Sequence, residues 1–148
     1  MTQKPKVLVI DDDLPFHGNA VMKTLEDKID FISALNMTQA RDRIQDSSEV
    51  RLVILAAKMH DYNLRARWDD PEPNTLRLVP LIKARLGCPI LAVVSTGVPM
   101  IVEPLSVRMR EAGCEFVLTK DGISEVEAIW AKILEILGLP PESETRSA

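Results

Sequence analysis

The sequence predicts an α/β domain in which five strands alternate with five helices around a parallel sheet, and three observations lead there. Short apolar runs rich in β-branched residues recur at 7–10, 52–56, 90–94 and 116–118. They are apolar at consecutive rather than alternate positions, so both faces must be covered, as in a parallel sheet flanked by helices on each side. The stretches between them carry helical spacing, and Gly87, Gly113 and Gly138 sit where helices should end.

The first strand, 7–10, leads through DDDLP into a helix at about 16–28. A weaker strand follows at 31–35, then a helix over 38–45 that Thr38 can cap. The third strand, 52–56, precedes a helix over 75–86, capped by Asn74 or Thr75 and closed by Gly87. Strand 90–94 is followed by a helix over 104–112 ending at Gly113, and strand 116–118 by a helix over 123–137. That last helix is the clearest: Ile123, Val126, Trp130, Ile133, Leu134 and Leu137 form one apolar stripe, with Glu125, Glu127, Lys132 and Glu135 off it.

The chain has 148 residues, 46% hydrophobic and 27% charged, with 18 basic against 22 acidic side chains, which sets one domain with a real core. Residues 1–138 form that domain, 59–74 an extended loop within it, and 139–148 a flexible tail or the start of a linker. No apolar run reaches the ~20 residues of a bilayer span, and MTQKPK leads into a strand rather than a signal-peptide core, so a cytoplasmic protein is expected. The acidic balance argues against nucleic-acid binding through a broad basic face. Cys88 and Cys114 are too few for a disulfide framework and lack zinc spacing, and His17 and His60 have no second ligand nearby in sequence; structural, solvated or capping roles are expected for all four.

The strongest chemical signal is VLVIDDD, a buried strand that delivers Asp11, Asp12 and Asp13 at its carboxyl end, where open α/β sheets bind ligands. Gathered carboxylates repel unless a divalent cation or a basic side chain neutralises them, and oxygen-rich clusters suit Mg²⁺. The alternative is that one Asp caps the next helix while the others are solvated. GCEFVLTKDG, around the fifth strand, puts Lys120 on the same sheet edge and favours a site.

In VLVIDDD, the LVIL strand, the PILAVVS strand and GCEFVLTKD, taken in order, the chain resembles the receiver domain of two-component response regulators over about residues 5–138. The resemblance implies a flavodoxin-like (βα)₅ fold with strand order 2-1-3-4-5. It also implies that Asp11 and Asp12 are the acid pair that binds Mg²⁺ and that Lys120 is the Lys that contacts the phosphoryl group.

The phosphoacceptor position departs from the pattern. Matching RLVILAAKMHD to the family's third strand puts Ala56 where the Asp belongs, followed by Ala57 and Lys58. A methyl group cannot attack phosphorus, since acyl-phosphate formation needs a carboxylate oxygen. Asp61, five positions on in the loop, is the nearest substitute. Without the Asp, Mg²⁺ binds weakly at most, and Asp11, Asp12 and Asp13 are left to pair with Lys120. The family's Thr or Ser at the end of the fourth strand falls on Val94, or on Ser95 with a one-residue slip. Its aromatic switch position is Val117, with Phe116 displaced by one and facing the other side of the strand.

The segment KMHDYNLRARWDDPEPN is about ten residues longer than the family allows. It reads as a solvated insertion or as a lid whose Tyr62, Arg67 and Trp68 are anchor types. In TGVPMIVEP, Val98, Met100, Ile101 and Val102 are apolar where a loop should be polar, so they either pack inward or form a binding patch.

These features predict a receiver-like signalling domain that does not accept phosphate, is not an enzyme, needs no cofactor, and acts through a protein partner or a second copy. The resemblance assigns that contact to the face of the fourth helix, fifth strand and fifth helix, where Val98, Met100, Ile101, Ile129 and Ile136 are the apolar surplus. Two readings compete: a phosphoacceptor regulator in which Ala56 is an engineered change or Asp61 a replacement, and a flavodoxin-like small-molecule binder, against which DDDLPF lacks a Gly-rich phosphate turn.

Overall fold

The computed structural model describes residues 4–12, 25–59, 73, 75–94, 99–119 and 123–140. Its strands are β1 (Lys6–Ile10), β2 (Asp30–Ala34), β3 (Val50–Ala56), β4 (Ile90–Val94) and β5 (Phe116–Thr119), and its helices are α1 (Met37–Asp46), α2 (Leu78–Arg85), α3 (Val102–Ala112) and α4 (Ile123–Leu137), with a 3-10 turn, Pro99–Ile101, leading into α3. The five strands pair in parallel in the order β2-β1-β3-β4-β5, the flavodoxin-like arrangement expected from the resemblance. Most of the predicted first helix lies outside the described residues. Its exit is visible where the Lys28 and Ile29 amides both donate to the Leu25 carbonyl.

Strand alternation divides the core into two clusters. Leu8, Ile10, Val53, Leu55, Ile90 and Ala92 face Ala40, Ile44, Val79, Ile82, Leu105 and Met109 of α1, α2 and α3. Val7, Val9, Leu52, Ile54, Leu91 and Val93 face Leu25, Ile29 and the α4 residues Ile129, Trp130, Ile133 and Leu134. Every central strand is therefore sealed on both sides, which is why its run carries no polar alternation. Phe31 on β2 meets Trp130 edge to face, with centroids 5.8 Å apart. Leu139, assigned to the tail by sequence, packs against the second cluster and donates its amide to the Leu134 carbonyl.

Among the boundaries that differ from the sequence expectation, three have a visible cause. Asn36, not Thr38, caps α1: its side chain accepts from the Gln39 amide at 2.8 Å, while Gln39 Oε1 accepts from the Leu35 amide. That second bond takes the Leu35 amide, and β2 ends at Ala34 rather than at 35. The third helix begins at Leu78 with no side-chain cap, because Thr75 directs its hydroxyl elsewhere. At the exit of α3, Gly113 holds φ 113° while the Gly113 amide donates to the Arg110 carbonyl and the Cys114 amide to the Met109 carbonyl, a closure a side chain would strain. Glu115 then ties three elements together: it pairs with Lys83 of α2 and accepts from the Ile90 amide at the start of β4.

Candidate functional site

The carboxyl edge of the sheet is built by β1 and β3. Their register pairs Val9 with Ile54 and Ile10 with Leu55, so Asp11 follows on one strand where Ala56 ends the other. Asp11 is buried, 4% exposed, and its amide donates to the Ala34 carbonyl; Asp12 is half-buried. Ala56 and Ala57 are buried, and the Ala57 amide donates to the Val93 carbonyl, which prolongs the ladder one step past β3. The next residue, Lys58, is only 9% exposed, and Met59 after it lies in the first core cluster.

Thr75, in the turn before α2, meets this edge. It is fully buried, and its hydroxyl reaches both the Ala56 carbonyl oxygen at 2.7 Å and that of Ala57 at 3.1 Å. Pro73, beside it, is buried too. The segment entering α2 is thus tied to the end of β3. Thr75 and Lys58 were not singled out as site residues from the sequence: the first read as a cap, the second as a bystander to Ala57.

Among the described residues, no three His, Cys, Asp or Glu side chains gather in a way that could hold a metal ion. The position where a third carboxylate would complete an oxygen cage carries a methyl group, Ala56, and a buried cation, Lys58, follows two residues on. Among the described residues this leaves Mg²⁺ two carboxylates, Asp11 and Asp12, a poorer set than three, with a buried lysine close by in the chain. Asp13, Asp61 and Lys120 lie outside the described residues, as do Ser95 and Val98 and the anchor candidates Tyr62, Arg67 and Trp68.

The two switch-like positions in view are apolar and engaged. Val94 is buried at the end of β4 and pairs with Thr119, while Val117 is half-buried against the first cluster. Phe116 faces the opposite cluster, as its displacement by one predicts, with the Lys132 ammonium 5.0 Å from its ring centre.

The apolar surplus read from the sequence is smaller than expected. Ile101 is buried in the first cluster and Ile129 in the second, so both belong to the core and not to a contact surface. Ile136 is half-buried against the second cluster. Met100 does stand out, 87% exposed, and Val107, which was not singled out, is 38% exposed on α3. The shortfall has a simple cause: a helix laid against a sheet buries a stripe wide enough to take in positions beside the central 3.6-residue line. Burial raises the Cys88 thiol and pushes that of Cys114 up to about 11, against a smaller opposing effect of Lys83 on each. Both therefore stay protonated and inert. None of the helices among the described residues is long and apolar enough to cross a membrane.

No family model matches the sequence, and no curated protein does. Solved structures do. A two-component response regulator from Clostridium difficile superposes with a TM-score of 0.67 at 20% identity, covering 90% of this chain and 96% of that one. A CheY-like response regulator receiver domain protein from Methanospirillum hungatei JF-1 gives 0.66 at 19%, covering 92% and 95%. A structure of the P1 domain of CheA3 in complex with CheY6 from R. sphaeroides gives 0.63 at 20%, covering 90% and 96%. At these identities the likeness establishes the fold: the chain has the architecture of CheY-like receiver domains over nearly its whole length.

Proposed function

We propose that this domain is a receiver-like signalling module that works without phosphoryl transfer, through contact with a protein partner or a second copy of itself. The observation that carries the reading is Ala56: it ends β3 beside the buried Asp11, where the resemblance puts the phosphoryl acceptor, and offers no nucleophile. Exposure to acetyl phosphate and Mg²⁺, read as intact mass, tests it.

A domain that cannot be modified at this edge has no covalent means of shifting its conformational population, so its signal must come from differential binding. The contact surface we assign is the outer side of α3, with β5 and α4 beside it. Met100, Pro104 and Val107 follow one another there at helical spacing, all exposed, with charged Glu103, Arg108 and Glu111 around them. An apolar line with a charged rim has the composition of a partner site. The CheY6 structure, solved with the P1 domain of CheA3, is an instance of a protein partner bound to this fold. A cytoplasmic signalling role without catalysis is the setting this reading implies.

A further inference from the structure

Burying a charge is costly unless an opposite charge and hydrogen bonds compensate it, yet the sheet edge buries two: Lys58 and Asp11. Neither is without an interaction partner, and nor is Asp12. Leu55, Ala56, Ala57 and Met59 all pack in the first core cluster, so the chain stays buried past the last residue of β3 and carries Lys58 inward with it. On β1, Ile10 is buried in the first cluster, and Asp11, directly after it, is buried at the same strand edge.

The register places Asp11 beside position 56, two residues short of Lys58 on the neighbouring strand. One inter-strand spacing of ~4.8 Å and two residues of rise separate their backbones by about 8 Å. The four-carbon stem of a lysine spans such a gap with its ammonium toward a carboxylate.

We propose that Lys58 is the resident cation of this edge: its ammonium neutralises Asp11 in place of the divalent ion that an acidic cluster would otherwise attract. The inference deepens the reading above and rests on Ala56 having removed the third carboxylate. Its consequence is regulatory. The geometry of the edge is fixed by the chain itself, so neither metal concentration nor phosphoryl load sets the state of the contact surface.

A thermal double-mutant cycle with Lys58→Met and Asp11→Asn, together with a Mn²⁺ titration of each form, tests it. Each single change should lower the melting temperature, and the double variant should lose clearly less than the sum. Millimolar Mn²⁺ should leave the unaltered protein's melting point and its Asp11 and Asp12 amide signals unchanged, and should raise the melting point of Lys58→Met. Additive losses would overturn the proposal, as would broadening of those signals by Mn²⁺ in the unaltered protein. Should Lys58→Met not fold, Lys58→Arg replaces it in the cycle, with retained melting point as the expected result, and the titration of the unaltered protein stands alone. Phosphoryl transfer enters neither readout, so failure here and failure of the phosphorylation reading are separate results.

Discussion

The Thr75 hydroxyl lies 2.7 Å from the carbonyl oxygen of Ala56, nineteen residues earlier in the chain, and 3.1 Å from that of Ala57. One side chain thus anchors the turn before α2 to the strand end where the resemblance puts the phosphoryl acceptor. A hydroxyl has one proton, so it alternates between the two acceptors, and its loss leaves buried carbonyls short of a donor.

Thr75→Val, which keeps the shape and removes the hydroxyl, should therefore cost about 1–3 kcal/mol of stability by denaturant titration. Thr75→Ser should lose less, since it keeps the donor. A larger loss for Thr75→Ser than for Thr75→Val would assign the role of Thr75 to its methyl group instead.

Surface and core apolar positions separate cleanly by substitution. Ile129 is fully buried, so Ile129→Glu places an unpaired charge in the second core cluster and should cost more than about 4 kcal/mol, unfolding the domain. Met100→Glu, at an exposed position, should change stability by no more than about 0.5 kcal/mol and weaken self-association or partner binding. Circular dichroism and analytical ultracentrifugation of the two variants read these outcomes. Unchanged association in Met100→Glu would move the contact away from α3.

The two thiols contribute to the alkaline limb of stability. Both have folded-state pKa values raised by burial, Cys114 to about 11 from an ordinary 9.0, so the folded state holds protons that the unfolded state releases. Their contribution is full below about 9 and is lost as pH rises through that value toward 11. The urea midpoint should fall over this interval, and Cys114→Ala should flatten the fall. Thiol reagents should react slowly with the native protein and fast in denaturant. Rapid native labelling of Cys114 would contradict the burial.

Much of the fold is legible in the sequence because the strand runs are sealed on both faces and so are continuous: Val7 to Ile10 and Ile90 to Val94 read directly. What is not legible depends on competition between local hydrogen bonds. Thr38 is as good a cap by type as Asn36, and only the reciprocal bonds of Asn36 and Gln39 place the helix start. Thr75 was free to cap α2 and serves the end of β3 instead. At the site, Asp11 and the alanine at position 56 are plain from the motif. The burial of Lys58 is not, since a lysine two residues past a strand end is ordinarily solvated. Ile129 and Ile136 look equivalent on a helical wheel, yet the first is buried in the second cluster and the second only half-buried against it.

The central claim is that this edge does not take up phosphate, and intact mass spectrometry after incubation with acetyl phosphate and Mg²⁺ tests it most directly. The expected result is an unchanged mass under conditions that phosphorylate a receiver domain bearing the acceptor Asp. A gain of one phosphoryl group, held by a linkage labile to hydroxylamine and mapped to Asp61 or to the Asp11–Asp13 cluster, would contradict it.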